Sequence, residues 1–200
     1  MTALTMTPYD RALAFILGWE GGSSSDPLDR AAHQALAAGQ TIHTVRGITQ
    51  ATYDDWLLSK GELPRPVVEI EIADVAAIYH SLFWVPAWCD RLVDAEMPRL
   101  AECIMDGSVQ HGVGTSVRLW QRMVRSPVDG VAGPHTLGAT VLRRNAVGED
   151  LLCAAYLDRR VGLYESIILR DRSQERFRDG WRNRLEALCA DINIAPVWDT

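Results

Sequence analysis

Glu20 is the residue whose position says most about chemistry. It extends the apolar stripe Leu13, Ile16 and Leu17 at the i, i+3, i+4, i+7 spacing of one helix face. A carboxyl group there points toward a core or the floor of a cleft. It also falls in the last turn of the helix, where the backbone dipole is negative. Burial and the dipole both disfavour the charged form and raise its pKa. A carboxyl held protonated near neutral pH is what general-acid catalysis requires. The alternative is a slight rotation of the helix that leaves Glu20 as a solvated terminal residue. Asp29 follows nine residues on, in a polar stretch that also holds Asp26. An acid on a helix end and a carboxylate on a facing loop form the pair that cleaves glycosidic bonds, although acidic residues are common in any polar loop. Thr44, in Thr44-Val-Arg-Gly-Ile-Thr49, brings a hydroxyl whose plainest role is to satisfy a turn.

The elements that must position these residues read as helices almost throughout. Thr7 is placed to cap a first helix with Pro8 at its first position, and Gly21-Gly22 to end it. Residues 21–48 are polar and lack helical periodicity, which predicts a long loop with a short hairpin near 41–48; loops of that length are functional or mobile. Thr49 caps a second helix that turns Tyr53, Trp56 and Leu57 inward and closes at Gly61. Ile72, Val75, Tyr79 and Leu82 or Phe83 mark a third helix, stopped before Pro86. Further helices are expected at about 98–109, through Val117, Trp120 and Val124, from Gly133-Pro134 through Leu137 and Val141, and at about 149–169 and 173–190. The stretch 90–97 carries the weakest pattern and is the expected boundary between lobes 1–95 and 96–200.

Composition sets the outer limits. The 200 residues carry 20 basic and 26 acidic side chains, a net charge of −6. No general basic field is available for nucleic acid. No apolar run approaches the ~18 residues of a membrane span, and no basic leader is visible. Cys89, Cys103, Cys153 and Cys189 lie far apart with no CxxC pair, which predicts buried thiols and gives a zinc site no support. No cofactor and no metal are expected.

Several strings together resemble a known family. Glu20-Gly21-Gly22, Asp26-Pro27-Leu28-Asp29 and Thr44-Val-Arg-Gly47-Ile48-Thr49-Gln-Ala-Thr52-Tyr53 resemble glycoside hydrolase family 108, the N-acetylmuramidases of phages and bacteria. Trp120-Gln121, Asp129-Gly-Val-Ala-Gly-Pro134-His-Thr136 and Gly180-Trp181 resemble the peptidoglycan-binding domain that follows in this family. The resemblance implies a mainly α, lysozyme-like, two-lobed fold with a long active-site loop or small hairpin. It also implies that Glu20 is the general acid, Asp29 the second carboxylate and Thr44 the residue that places a water or the sugar. Two departures stand out. Arg30-Ala31-Ala32-His33 and an insert at about 31–43, with His43 at its end, replace the usual Gly-Gly after the second carboxylate. Asp106 with Gln110-His111-Gly112 stands where the family often has an Asn-x-Gly.

On this reading the substrate is peptidoglycan, and a monomer is expected. The chain is expected to be a phage endolysin, made in the host cytoplasm, released through a holin and acting in the periplasm or cell wall. A secreted bacterial muramidase, a non-catalytic wall-binding protein and an acidic helical interaction protein are the alternatives. The seven tryptophans are expected mostly in the core, although aromatic faces also stack on sugars. Asp129 to Thr136 is expected to form a turn and helix cap. The pairs Arg143-Arg144 and Arg159-Arg160 are expected to be ordinary surface charges.

Overall fold

The computed structural model describes residues 6–19 and 44–198. Among them helices dominate, and the one sheet has two strands. The chain packs as two compact units. One is Leu13–Ser81; the other comprises the described parts of Met1–Ala12 and Leu82–Thr200.

Helix α1 (Pro8–Trp19) starts where its capping residues dictate. The Thr7 hydroxyl accepts from the Asp10 amide at 3.1 Å, and the Asp10 carboxylate accepts from the Thr7 amide at 3.1 Å. Two otherwise orphaned N–H groups are thus satisfied reciprocally. Leu13, Ile16 and Leu17 are buried, as the stripe predicted.

In the smaller unit, strands β1 (Thr44–Val45) and β2 (Ile48–Thr49) pair antiparallel, Thr44 opposite Thr49 and Val45 opposite Ile48. Arg46 and Gly47 both have positive φ, 49° and 75°, the conformation that lets a two-residue loop match the strand twist. Helix α2 (Gln50–Ser59) follows at once, with Thr49 as its N-cap, and ends before Gly61 at φ 76°. Helix α3 (Ile72–Tyr79) runs into a π-helical turn at His80–Trp84. The expected third helix is therefore regular only as far as Tyr79. Ile72 and Leu82 are exposed, while Val75, Ile78, Tyr79 and Trp84 are buried. The wider π turn rotates every later side chain relative to a regular helix.

In the larger unit the stretch with the weakest sequence pattern is itself helical, α4 (Cys89–Asp94). Helix α5 (Pro98–His111) is the hub and packs on α4, on α6 (Val113–Val124) and on α8 (Glu149–Arg170). Its residues 100–108 are all buried, as expected of a helix surrounded by others. Helix α7 (Pro134–Val147) lies against α6 and α8, and α9 (Arg178–Asp191) returns along α8 after a 3-10 segment, Arg172–Phe177. On α7 the fully buried residues are Thr136 and Thr140 rather than Leu137 and Val141. The Thr140 hydroxyl accepts from the buried Trp120 indole at 2.8 Å, which accounts for a threonine there. Close approach at the hub needs Gly107: a Cβ there would lie 2.2 Å from the Tyr156 hydroxyl. All four cysteines are buried and free. No helix among the described residues is long and apolar enough to cross a membrane.

Candidate active site

The described part of the expected site is the hairpin that begins at Thr44. Thr44 is exposed on the face opposite the buried Val45 and Ile48. Glu20 and Asp29 lie outside the described residues, as do Gly21-Gly22, His33, His43 and the insert 31–43. Helix α1 ends at Trp19, the residue before Glu20.

The hairpin is fixed from three sides. Tyr79 on α3 donates its hydroxyl proton to the Arg46 carbonyl at 3.0 Å and so holds the turn. The Thr49 hydroxyl accepts from the Thr52 amide at 3.2 Å and joins β2 rigidly to α2. Gln50 donates to the Arg65 carbonyl at 2.9 Å and accepts from the Val67 amide at 2.6 Å. That pulls the 3-10 turn Val67–Glu69 against β1.

Behind α2 sits Asp74. It accepts from the Trp56 indole at 3.0 Å and from Lys60 at 3.1 Å, with Arg65 3.5 Å away. The Trp56 N–H holds its carboxyl below the usual range; burial opposes this, and Lys60 and Arg65 assist it. Arg65 in turn donates to the Tyr53 hydroxyl at 2.8 Å. Thr44 therefore stands on a scaffold whose polar groups are bonded to one another.

In the larger unit the motif Asp129–Thr136 is a loop organised by Gln121. The Gln121 amide donates to Asp129 Oδ1 at 2.7 Å and to the Val131 carbonyl at 3.0 Å, and its oxygen accepts from the Gly130 amide at 2.8 Å. Asp129 also accepts from the Val131 amide at 2.9 Å. The turn is as expected, but the cap is not. The N-cap of α7 is Gly133, which has no capping side chain, and Thr136 is buried inside the helix.

One polar cluster was not anticipated. Asp106 on α5 is buried between two arginines. Arg184 on α9 donates to Oδ1 at 3.0 and 2.6 Å, and Arg160 on α8 stands 2.7 Å from Oδ2. This corrects the reading of Arg160 as a surface charge: its side chain is wholly buried. The signal lay in Tyr156, Arg160 and Tyr164, which share one helix face at i, i+4, i+8. Burial alone would raise the Asp106 carboxyl, but the two guanidinium groups hold it below its usual range. Arg160 also donates to Gln110 at 2.7 Å and to the Tyr164 hydroxyl at 3.1 Å. Gln110 accepts from Tyr164 at 2.8 Å, and His111 Nε2 lies 3.3 Å from the same hydroxyl. Asp106 and His111, the positions where the motif departs from its family, thus join one network that binds α5 to α8 and α9.

Against this geometry stand the likenesses to known proteins. The model of the family described as Glycosyl hydrolase 108 matches residues 13–112, half of the chain. The chain belongs to glycosyl hydrolase family 108. It is accordingly a glycoside hydrolase, and its second half matches the family described as "Predicted Peptidoglycan domain" over residues 115–186. The family 108 match contains α1 from Leu13 onward, the hairpin and α5, and the second match contains the Gln121 loop. A solved structure titled "Structure of Brucella abortus SagA" superposes with a TM-score of 0.64 at 20% identity, covering 92% of this chain and 93% of that one. That likeness is one of fold, and it places the chain in the mainly α, lysozyme-like class. No curated protein matches the chain.

Proposed function

We propose that the protein hydrolyses the β-1,4 bond between N-acetylmuramic acid and N-acetylglucosamine in peptidoglycan, with Glu20 as general acid, Asp29 as second carboxylate and Thr44 placing a water or the sugar. The observation that carries this reading is the succession, in one chain, of a family 108 hydrolase match and a peptidoglycan-domain match. The buried stripe Leu13, Ile16 and Leu17 supports the assignment of Glu20, because it fixes the phase of the helix that ends one residue earlier. The exposed Thr44 hydroxyl, on a hairpin clamped by Tyr79 and Thr49, suits a positioning role.

In this mechanism protonated Glu20 donates to the leaving glycosidic oxygen as positive charge develops on the sugar ring. The Asp29 carboxylate steadies that charge or orients the attacking water. A catalytic lobe through residue 95 and a wall-binding lobe from residue 96 complete the proposal. In the cell the enzyme acts as a monomeric endolysin that reaches the wall through a holin and lyses the host.

Mass spectrometry of purified sacculi after digestion tests the chemistry. Wild type is expected to release muropeptides with reducing N-acetylmuramic acid ends, and Glu20→Gln to release none. Anhydro ends would overturn the hydrolytic mechanism, and equal release by both proteins would overturn the role of Glu20. Expression in a bacterial host with and without a holin tests the cellular role, with lysis expected only when the holin is present.

A further inference from the structure

The larger unit carries an aromatic stack that ends at the surface. Phe177 ends the 3-10 segment and Trp181 lies in the first turn of α9, with ring centres 6.0 Å apart. Phe177 is 43% exposed, and Trp181 is partly exposed. Behind Trp181 lies Tyr164 on α8, nearly parallel at 12° with centres 4.7 Å apart. Trp198 stacks on Tyr164 at 5.9 Å, and His111 meets its edge at 5.3 Å.

We infer that Phe177 and Trp181 form a stacking platform for a β-1,4-linked N-acetylhexosamine strand, which gives the wall-binding half its saccharide contact. This rests on the peptidoglycan reading above. Three features carry it. The Trp181 ring is backed by Tyr164, which is buried with its hydroxyl bonded to Arg160 and Gln110, so stacking on it costs little further ordering. The helix surface next to Trp181 in the chain is open, since nothing lies within 4 Å of where a Cβ on Gly180 would stand. The Arg176 guanidinium lies 4.7 Å over the Phe177 ring, which brings hydrogen-bond donors to the rim of an apolar surface. Pyranose rings present apolar C–H faces bordered by hydroxyls and match such a surface, as amphipathic aromatic sites do in general. Both rings fall inside the peptidoglycan-domain match, residues 115–186.

The test uses the full-length protein, pelleting with purified sacculi, and titration calorimetry with a soluble N-acetylglucosamine tetramer. Phe177→Ala removes an exposed ring and is expected to leave the melting temperature unchanged while weakening both interactions by about 3–10-fold. Trp181→Phe keeps a ring against Tyr164 and is expected to weaken both by a smaller factor. Full sacculus and tetramer binding by both variants, with muropeptide release intact, would overturn the platform and leave the hydrolase reading standing. Loss of sacculus binding in a protein that never binds the tetramer would overturn the saccharide as occupant. A wild type that neither binds nor cleaves sacculi would overturn both readings.

Discussion

Asp106 on α5 and Arg160 on α8 form an ion pair at 2.7 Å with 1% and 0% of their side chains exposed. Arg184 adds a second guanidinium at 2.6 Å. Taking these charges out of water is costly, and the arrangement is stable only while all three are present. Asp106→Ala is expected to destabilise the protein by roughly 3–5 kcal/mol, because it leaves two buried guanidinium groups facing each other. Chemical denaturation measures this, and Asp106→Ala combined with Arg160→Met and Arg184→Met should recover part of the loss. A single mutant within about 0.5 kcal/mol of wild type would contradict the arrangement.

The same network predicts how stability depends on pH. Burial, with Arg160 nearby, pushes His111 down to about 4 from its ordinary value of 6.5. Between those values the unfolded chain binds a proton that the folded chain does not, so stability falls as pH drops from 6.5 to 4. The full loss is on the order of 3 kcal/mol. Asp106 acts lower on the scale. Its folded pKa is depressed, so its contribution is present above the usual Asp value of about 3.9 and is lost as pH falls below it. Replacing the imidazole by a neutral amide, His111→Gln, should flatten the slope between pH 6.5 and 4 and leave the acid limb. Melting temperatures measured across this range read both effects.

Gly107→Ala should be costly although alanine favours helices. The added methyl would meet the Tyr156 hydroxyl at 2.2 Å, and that hydroxyl is bonded to Ser116 at 2.6 Å in a closed core. A loss of about 1–3 kcal/mol is expected. The double mutant Gly107→Ala, Tyr156→Phe should be less destabilised than the sum of its parts, since the clashing oxygen is gone.

Thr44 and Thr49 face each other across the hairpin but have separate jobs. Thr49→Ala removes a cap and should cost about 1 kcal/mol. Thr44→Ala removes an exposed hydroxyl and should leave the melting temperature unchanged. Under the proposed mechanism it should lower muropeptide release at least tenfold, on the order of 1.4 kcal/mol of transition-state stabilisation. Unchanged release would remove Thr44 from the mechanism.

Helix starts were legible in the residues because capping is local. Thr7 with Asp10, and Thr49 with Thr52, bond groups three residues apart. The hairpin was legible because only a few residue types tolerate its turn, and Gly47 is one of them. The stripe leading to Glu20 followed from helical periodicity, whereas the family was marked by short residue strings that resemble its motifs. Periodicity misled where it was interrupted. The π turn at His80–Trp84 rotated the side chains that follow α3, so that Trp84 is buried and Leu82 exposed, and the burial of Thr136 and Thr140 on α7 depended on partners from α6, Gln121 at 3.4 Å and Trp120 at 2.8 Å.

The sequence by itself determined the helical class, the order of most elements, the buried thiols and the residues that carry the family likeness. Each depends on neighbours along the chain. Tertiary structure alone decided that Arg160 is buried, that Asp106 pairs with two arginines, and that Tyr164 backs Trp181. Those partners are separated by 54 and 78 residues between Asp106 and its arginines, and by 17 between the stacked rings. A charge or an aromatic ring shows its role only when its partner arrives, because the cost of burying it is offset by a group that no local pattern reveals.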